Sequence, residues 1–169
     1  MNRKNLWILS GPPGSGKSTW VKNQIEKAKQ IDPERKIFHV SRDAIRFALL
    51  EDEEDYFSKE ELVKIKFFND TVEKLDNYED CDVFVDATFL TQRTRTTFIE
   101  KVLATAHKKN VAVNVVSFLV DLGTCLRQNA YRTGRAYVPE DVVTKMYYRY
   151  QPPTTKEYPY KRILVIENE

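Results

Sequence analysis

Gly11, Gly14, Gly16, Lys17 and Ser18 stand together near the start of the chain, in the run GPPGSGKST. Their spacing is G-x-x-x-x-G-K-[ST], and the run lies between an apolar stretch and a helical one, the context the motif requires. The glycines let the backbone turn so that its N–H groups converge on phosphate oxygens. The helix that follows aims its positive end at the same oxygens. Lys17 adds a point charge at the β- and γ-phosphates, and the Ser18 hydroxyl suits Mg²⁺. Ser15 completes the loop, and Thr19 is a further candidate phosphate contact. The motif implies binding of a nucleoside triphosphate, ATP with Mg²⁺, and by itself no reaction.

Three further groups carry charge. HVSRDAIRFALL puts Arg42 and Asp43 just past an apolar run, with Arg46 three residues on. Asp43 has two readings: a helix N-cap, for which Asp is preferred, or a base beside the bound triphosphate. DVFVDAT ends with Asp86, the natural carboxylate for Mg²⁺ or its water shell, and with Thr88, a candidate substrate contact. CLRQNAYRTGRAYVPEDV holds Arg127, Arg132 and Arg135. Such a run is either a solvated basic face or a mobile segment that brings positive charge to a transferring phosphoryl group.

These residues need elements to bring them together. Leu6 to Leu9 read as a buried strand, Lys17 to about Gln30 as a helix stopped by Pro33, and KIFHV as a second strand. A short helix starts near Asp43. An acidic connection, EDEEDYFSKEE, follows, and Ser58 with Glu61 predicts a capping box for a helix running to about Leu75. DVFVDAT is a third strand, 91–110 is helical with Phe98, Val102 and Ala106 on one face, and VAVNVVSFLV is a fourth strand. Helices return at about 122–130 and 140–150, and RILVIE is a fifth strand. This alternation predicts an α/β fold, a five-stranded mostly parallel sheet flanked by helices, with a small arginine-rich lid at about 122–140. Ligands of such sheets gather at the carboxyl ends of the strands. Gly11–Ser18, Ser41–Arg46, Asp86–Thr88 and Asp121–Arg127 are therefore expected at one rim.

The bulk numbers bound the rest. The 169 residues suit one domain, and 41% hydrophobic with 31% charged residues suits a globular one. A net charge of +2 gives no general case for nucleic acid, so any basic surface is local. Cys81 and Cys125 stand far apart, without metal-type spacing. No run approaches a membrane span or a signal peptide, which makes a cytoplasmic enzyme the default expectation. A GTPase is expected to carry N-K-x-D, and none is present. A motor or AAA-type ATPase is expected to have more chain and a strand ending Asp-Glu, where this one ends VFVDAT.

Taken together, GPPGSGKSTW, SRDAIR, the acidic connection, VDATFL with its arginine-rich helix start, and LRQNAYRTGRAYVPEDVVTKMY resemble the kinase domain of phage-type polynucleotide 5′-kinases, within the small P-loop kinases. The likeness runs in order along nearly the whole chain. It implies transfer of the ATP γ-phosphate to a hydroxyl, first of all the 5′-OH of DNA or RNA ends or of a nucleotide. It implies that Asp43 is the general base, that Arg46 grips the phosphate next to the acceptor sugar, and that Lys17 and Ser18 hold phosphate and metal. Arg132 matches a lid arginine on the donor phosphates. The family often has Arg directly before Asn where this chain has Gln128, so Arg127 or Arg135 takes the second lid position. Many relatives also have Asn near Phe89. Bifunctional relatives append a phosphatase domain with a D-x-D-G-T-like motif; none occurs here, and a stand-alone kinase is expected.

Other acceptors fit the same scaffold: a nucleotide, a modified DNA base, a sugar nucleotide or another small metabolite. A nucleotide-binding module with no acceptor is the alternative of another class, and it has no use for Asp43. Of the aromatic residues Phe47, Tyr56, Phe57, Tyr131, Tyr137, Tyr147, Tyr148 and Tyr150, one or two are expected to stack on bases and the others to pack. The run Glu51–Asp55 is expected on a solvated face.

Overall fold

The computed structural model describes residues 3–107 and 110–167, with the side chain of Arg135 outside the described set. Five strands alternate with helices: β1 Lys4–Ser10, α1 Lys17–Ile31, β2 Lys36–Ser41, α2 Arg42–Leu49, α3 Glu60–Asn77, β3 Cys81–Asp86, α4 Gln92–Thr105, β4 Val111–Leu119, α5 Leu122–Ala130, α6 Glu140–Arg149 and β5 Arg162–Glu167. A short 3₁₀ turn, Gly134–Ala136, lies between α5 and α6. The sheet order is β2-β3-β1-β4-β5, and every pairing is parallel.

Parallel strands buried on both faces need apolar residues at successive positions. In β1 this is literal. Leu6 and Ile8 face one core with Val63 and Phe67 of α3 and Ile99 and Val102 of α4. Leu9 faces the other, with Val21 of α1, Cys125 of α5 and Val143 of α6. The strand ends then fall on one rim, each handing its charged residues to the loop that follows. The edge strand β5 is barer, with Leu164 and Val165 exposed.

Three local expectations are corrected. Ser58 and Glu61 form no capping box. The N-cap of α3 is Lys59, without a side-chain cap, because the Ser58 hydroxyl turns back to Glu54 and the Asp55 carbonyl. A capping box does form at α4, between Thr91 and Thr94. That helix ends at Thr105, short of the expected run to 110. Strand β3 stops at Asp86, so Thr88 belongs to a loop, where its carbonyl accepts from the Gly11 N–H at 2.9 Å.

Candidate active site

The phosphate loop is shaped by steric demands that the sequence only implied. Gly14 and Gly16 have φ of 78° and 92°, left-handed values that glycine takes without strain. Space is the second demand. A Cβ on Gly14 would lie 2.3 Å from the Cys125 carbonyl oxygen, and one on Gly11 would lie 2.8 Å from the Phe118 Cβ. The loop is thus pressed against β4 and α5, and its conformation is fixed by them. Lys17 is buried, and its Nζ donates to the Gly11 and Pro12 carbonyls at 2.8 and 3.0 Å. Burial pushes its pKa down, against the pull of the Asp86 carboxylate. The Ser15 hydroxyl is buried inside the loop and has no hydrogen-bond partner among the described residues. An orphaned donor in a glycine cradle beside a buried lysine is the environment a phosphate oxygen completes.

Across the rim, Ser18 Oγ donates to Asp86 Oδ2 at 2.7 Å, and His39 Nε2 lies 2.8 Å from the same oxygen. Burial works against the Asp86 charge, but the His39 and Ser18 hydrogen bonds and the Lys17 charge outweigh it and hold its pKa below the ordinary carboxylate value. Among the described residues no three His, Cys, Asp or Glu side chains converge to hold a metal by themselves. A serine hydroxyl and one carboxylate instead match Mg²⁺, which keeps waters and takes phosphate oxygens as its other ligands.

Asp43 lies at the second position of α2. The N-cap is Ser41, whose side chain accepts from the Ala44 N–H. Capping therefore does not explain Asp43. Its Oδ1 accepts from Arg46 Nη1 at 2.6 Å and from the Tyr56 hydroxyl at 2.7 Å, while Oδ2 has no hydrogen bond among the described residues. Burial and the Asp43 carboxylate together push the Tyr56 pKa well up, so this hydroxyl stays a donor.

Arg46 is 3% exposed. Beyond Asp43, Nη1 donates to the Tyr56 hydroxyl at 2.7 Å and Nη2 to Glu60 at 2.7 Å, and the guanidinium lies 4.2 Å from the centre of the Tyr56 ring. Glu60 also pairs with Arg42. Burial opposes its charge, and the two arginines reverse that and lower its pKa. Glu60 and His39 are site residues that sequence reasoning missed. Glu60 lies near the end of the acidic connection, past the Glu51–Asp55 run that reads as solvated, and His39 is hidden in an apolar strand. Residues Glu51–Glu53 and Asp55 are indeed exposed, but Tyr56 and Glu60 turn inward.

Most of these groups line one cavity of about 550 Å³, which brings Lys17, Ser18 and Asp86 together with Asp43, Arg46 and Glu60 and with Arg132 and Thr88. Its outer wall is apolar, from Val138, Pro139, Val142 and Met146, with the rings of Phe57 and Tyr137. Arg132 reaches it because Asn129, fully buried, clamps the chain beyond it. Asn129 Nδ2 donates to the Val138 carbonyl at 2.6 Å, and its Oδ1 accepts from the Val138 N–H at 3.1 Å.

A second cavity, of about 810 Å³, opens on the other side of the loop. Ser15, Gly16, Thr19, Asp121, Arg127 and Tyr131 are among its walls. The rim therefore collects all four expected segments but divides them between two cavities. Arg127 is exposed, donates to Thr124 Oγ1 at 2.9 Å, and lies apart from Asp43. Arg135, the other expected lid arginine, falls among the side chains outside the described set. Of the aromatic residues, Tyr56, Phe57 and Tyr137 line the first cavity. Tyr150 is tied to the Ser10 carbonyl at 2.9 Å, and Tyr148 is exposed.

Residues 6–153 match the model of the AAA domain family AAA_33, and the chain belongs to that family. The AAA label, set aside above on chain length and the missing Asp-Glu, thus returns at the level of the family. The fold is P-loop kinase-like. It is similar to a structure from Chloroflexus aurantiacus named as a candidate kinase, at TM-score 0.70 and 11% identity over 99% of this chain and 86% of that one. It is similar to Chaetomium thermophilum Kti12 in complex with ADP-AlF3, at TM-score 0.64 and 12% identity over 96% and 88%. A chain of a Pnkp1/Rnl/Hen1 complex is similar at TM-score 0.58 and 22% identity, over 75% of this chain and 39% of that one. No curated protein matches the sequence. No helix among the described residues is long and apolar enough to cross a membrane.

Proposed function

We propose that the chain transfers the γ-phosphate of ATP to a hydroxyl, with the 5′-OH of a nucleic acid or nucleotide as the acceptor. One observation carries this reading. Asp43, with Oδ1 held by Arg46 and Tyr56, lines the same cavity as the loop residues Lys17 and Ser18, Asp86 and Arg132. A triphosphate switch needs the loop and not the carboxylate facing it.

In this scheme the loop N–H groups, Ser15 and Lys17 bind the donor phosphates, and Lys17 exchanges its two carbonyl partners for phosphate oxygens. Thr19 and Arg127 serve the donor from the second cavity, with Arg135 assigned to the same lid. Ser18 and Asp86 are the residues that would hold Mg²⁺. Bound there, the ion would offset charge on the phosphates. Asp43 Oδ2 takes the proton of the acceptor hydroxyl as its oxygen bonds to the γ-phosphorus. The bond from that phosphorus to the bridging oxygen breaks, and ADP leaves with the electron pair. Arg132 stabilises charge on the transferring group, while Arg46 and Thr88 orient the acceptor. Positioning and electrostatics supply most of the acceleration, and the base contributes roughly 10²–10⁴-fold.

The apolar wall with Phe57 and Tyr137 suits a nucleobase, whose face stacks on aromatic rings. One observation favours a second reading, a small uncharged acceptor. Both terminal nitrogens of Arg46 already serve Asp43, Tyr56 and Glu60, and the pairs Arg42–Glu60 and Arg46–Asp43 balance in charge. The test is labelled ATP and Mg²⁺ with 5′-OH DNA and RNA oligonucleotides, 3′-mononucleotides, nucleosides and common metabolites as acceptors. Label on 5′-OH nucleic acid or 3′-mononucleotides is the expected result. Label only on an uncharged small molecule would establish the second reading in its place.

A further inference from the structure

His39 touches the site and has no part in the scheme above. In the β2–β3 register it lies opposite Phe84, two residues before the Ser41–Asp86 pair, so its ring reaches along the sheet to the Asp86 carboxylate. The side chains of His39 and Asp86 are 17% and 6% exposed. Nε2 of His39 and Oγ of Ser18 lie 2.8 and 2.7 Å from one oxygen, Oδ2 of Asp86. An ionised carboxylate only accepts hydrogen bonds, so both neighbours donate. That fixes the imidazole tautomer with its hydrogen on Nε2, and it fixes the direction of the Ser18 hydroxyl hydrogen.

Two consequences follow. With its hydrogen committed to Asp86, Ser18 Oγ turns its lone pairs away from the carboxylate, the orientation a hard cation needs. With Oδ2 saturated by two donors, Oδ1 is the oxygen left for a cation or its bound water. A histidine that merely tied β2 to β3 would not have to share its oxygen with the loop serine. Side chains behind metal ligands set ligand orientation in this way.

We propose that His39 is a positioning residue: by donating to Asp86 Oδ2 it orients Asp86 and Ser18 to receive the divalent cation of a bound metal–nucleotide. The proposal rests on the triphosphate reading of the loop and is independent of the acceptor.

The test uses Mn²⁺ as a spectroscopic probe, its binding to the protein followed by electron paramagnetic resonance with a non-hydrolysable ATP analogue. His39→Ala is expected to weaken Mn²⁺ binding to the nucleotide complex by about tenfold or more. Affinity for the metal-free analogue stays at the wild-type value. His39→Gln, whose amide N–H replaces the Nε2 donor, is expected to recover most of the loss. His39→Asn, with a shorter reach, is expected to match His39→Ala and replaces it if the alanine variant does not fold. Wild-type Mn²⁺ affinity in His39→Ala or His39→Asn overturns the proposal, as does a His39→Gln variant no better than either. Absence of any Mn²⁺–analogue complex with the wild-type protein overturns the triphosphate reading instead, and this proposal with it.

Discussion

Ser41 and Asp43 are both good helix caps, and at the residue scale their division of labour decides what α2 does. Ser41 takes the cap, which releases Asp43 to face the cavity with one oxygen held and one open. The sequence shows both residues and cannot say which one the helix uses, because a shift of two positions changes the answer. Phe89 is a second such case. It has φ of 42° and is buried among Phe67 and Phe98, while its carbonyl accepts from Ser10 and Arg95. A left-handed φ at a bulky residue is uncommon, and nothing in VDATFL marks Phe89 for it. Asn114 is a third. It is 1% exposed on the interior strand β4, and neither of its side-chain amide atoms has a hydrogen-bond partner among the described residues. A buried amide left unpaired is destabilising, and valine suits a strand. Asn114→Val is therefore expected to raise stability by about 1 kcal/mol, seen as a melting-temperature rise of roughly 2–4 °C. An unchanged or lower melting temperature would show that the amide is satisfied in solution.

At the scale of elements, side chains distant in sequence hold the pieces that carry the site. Arg95, at the start of α4, is fully buried and makes two hydrogen bonds to Glu157 at 2.8 and 2.9 Å, while its Nη1 donates to the Phe89 carbonyl. This joins the β3–α4 loop to the segment between α6 and β5. Removing one partner of a buried pair leaves an uncompensated charge. Arg95→Leu is expected to cost about 3–5 kcal/mol in denaturant unfolding; a loss under about 1 kcal/mol would mean that the pair stabilises nothing. Nothing in TQRTRTTF marks Arg95 for the interior, since its partner is 62 residues away. The loop between α5 and α6 depends on Asn129 in the same manner. Asn129→Ala is expected to lower turnover by about tenfold or more, because Arg132 loses its bracing and small misplacements are costly. Full turnover in that variant would show that the Asn129 clamp does not place Arg132. The R-x-N-x-x-R…V-P spacing was visible in the sequence, but the tie from Asn129 to Val138 was not.

For the molecule as a whole, the α/β class, the five strands and the rim were legible because hydrophobic periodicity and a glycine loop are local signals. The split of that rim into two cavities was not, since it depends on how α5 lies against the loop. The inward turn of Tyr56 and Glu60 was equally hidden, because an acidic run reads as solvated until its arginine partners are placed. The buried carboxylates also set the response to acid. Asp86, Glu60 and Glu157 have folded-state pKa values below the ordinary range, through their hydrogen bonds and cationic partners. Their contribution to stability is complete above the unfolded carboxylate value of about 4 and is lost as pH falls through the lowered values. Melting temperature is thus expected to hold from pH 7 to about 5 and to fall below about 4; a flat profile to pH 3 would mean these carboxylates are not preferentially ionised in the fold. The central claim is that Asp43 takes the acceptor's proton. The most direct measurement is single-turnover phosphoryl transfer by wild type and Asp43→Asn, with ATP affinity measured in parallel. At least about a tenfold loss of transfer with nearly unchanged ATP affinity is the expected result. Transfer at the wild-type rate in Asp43→Asn would contradict it.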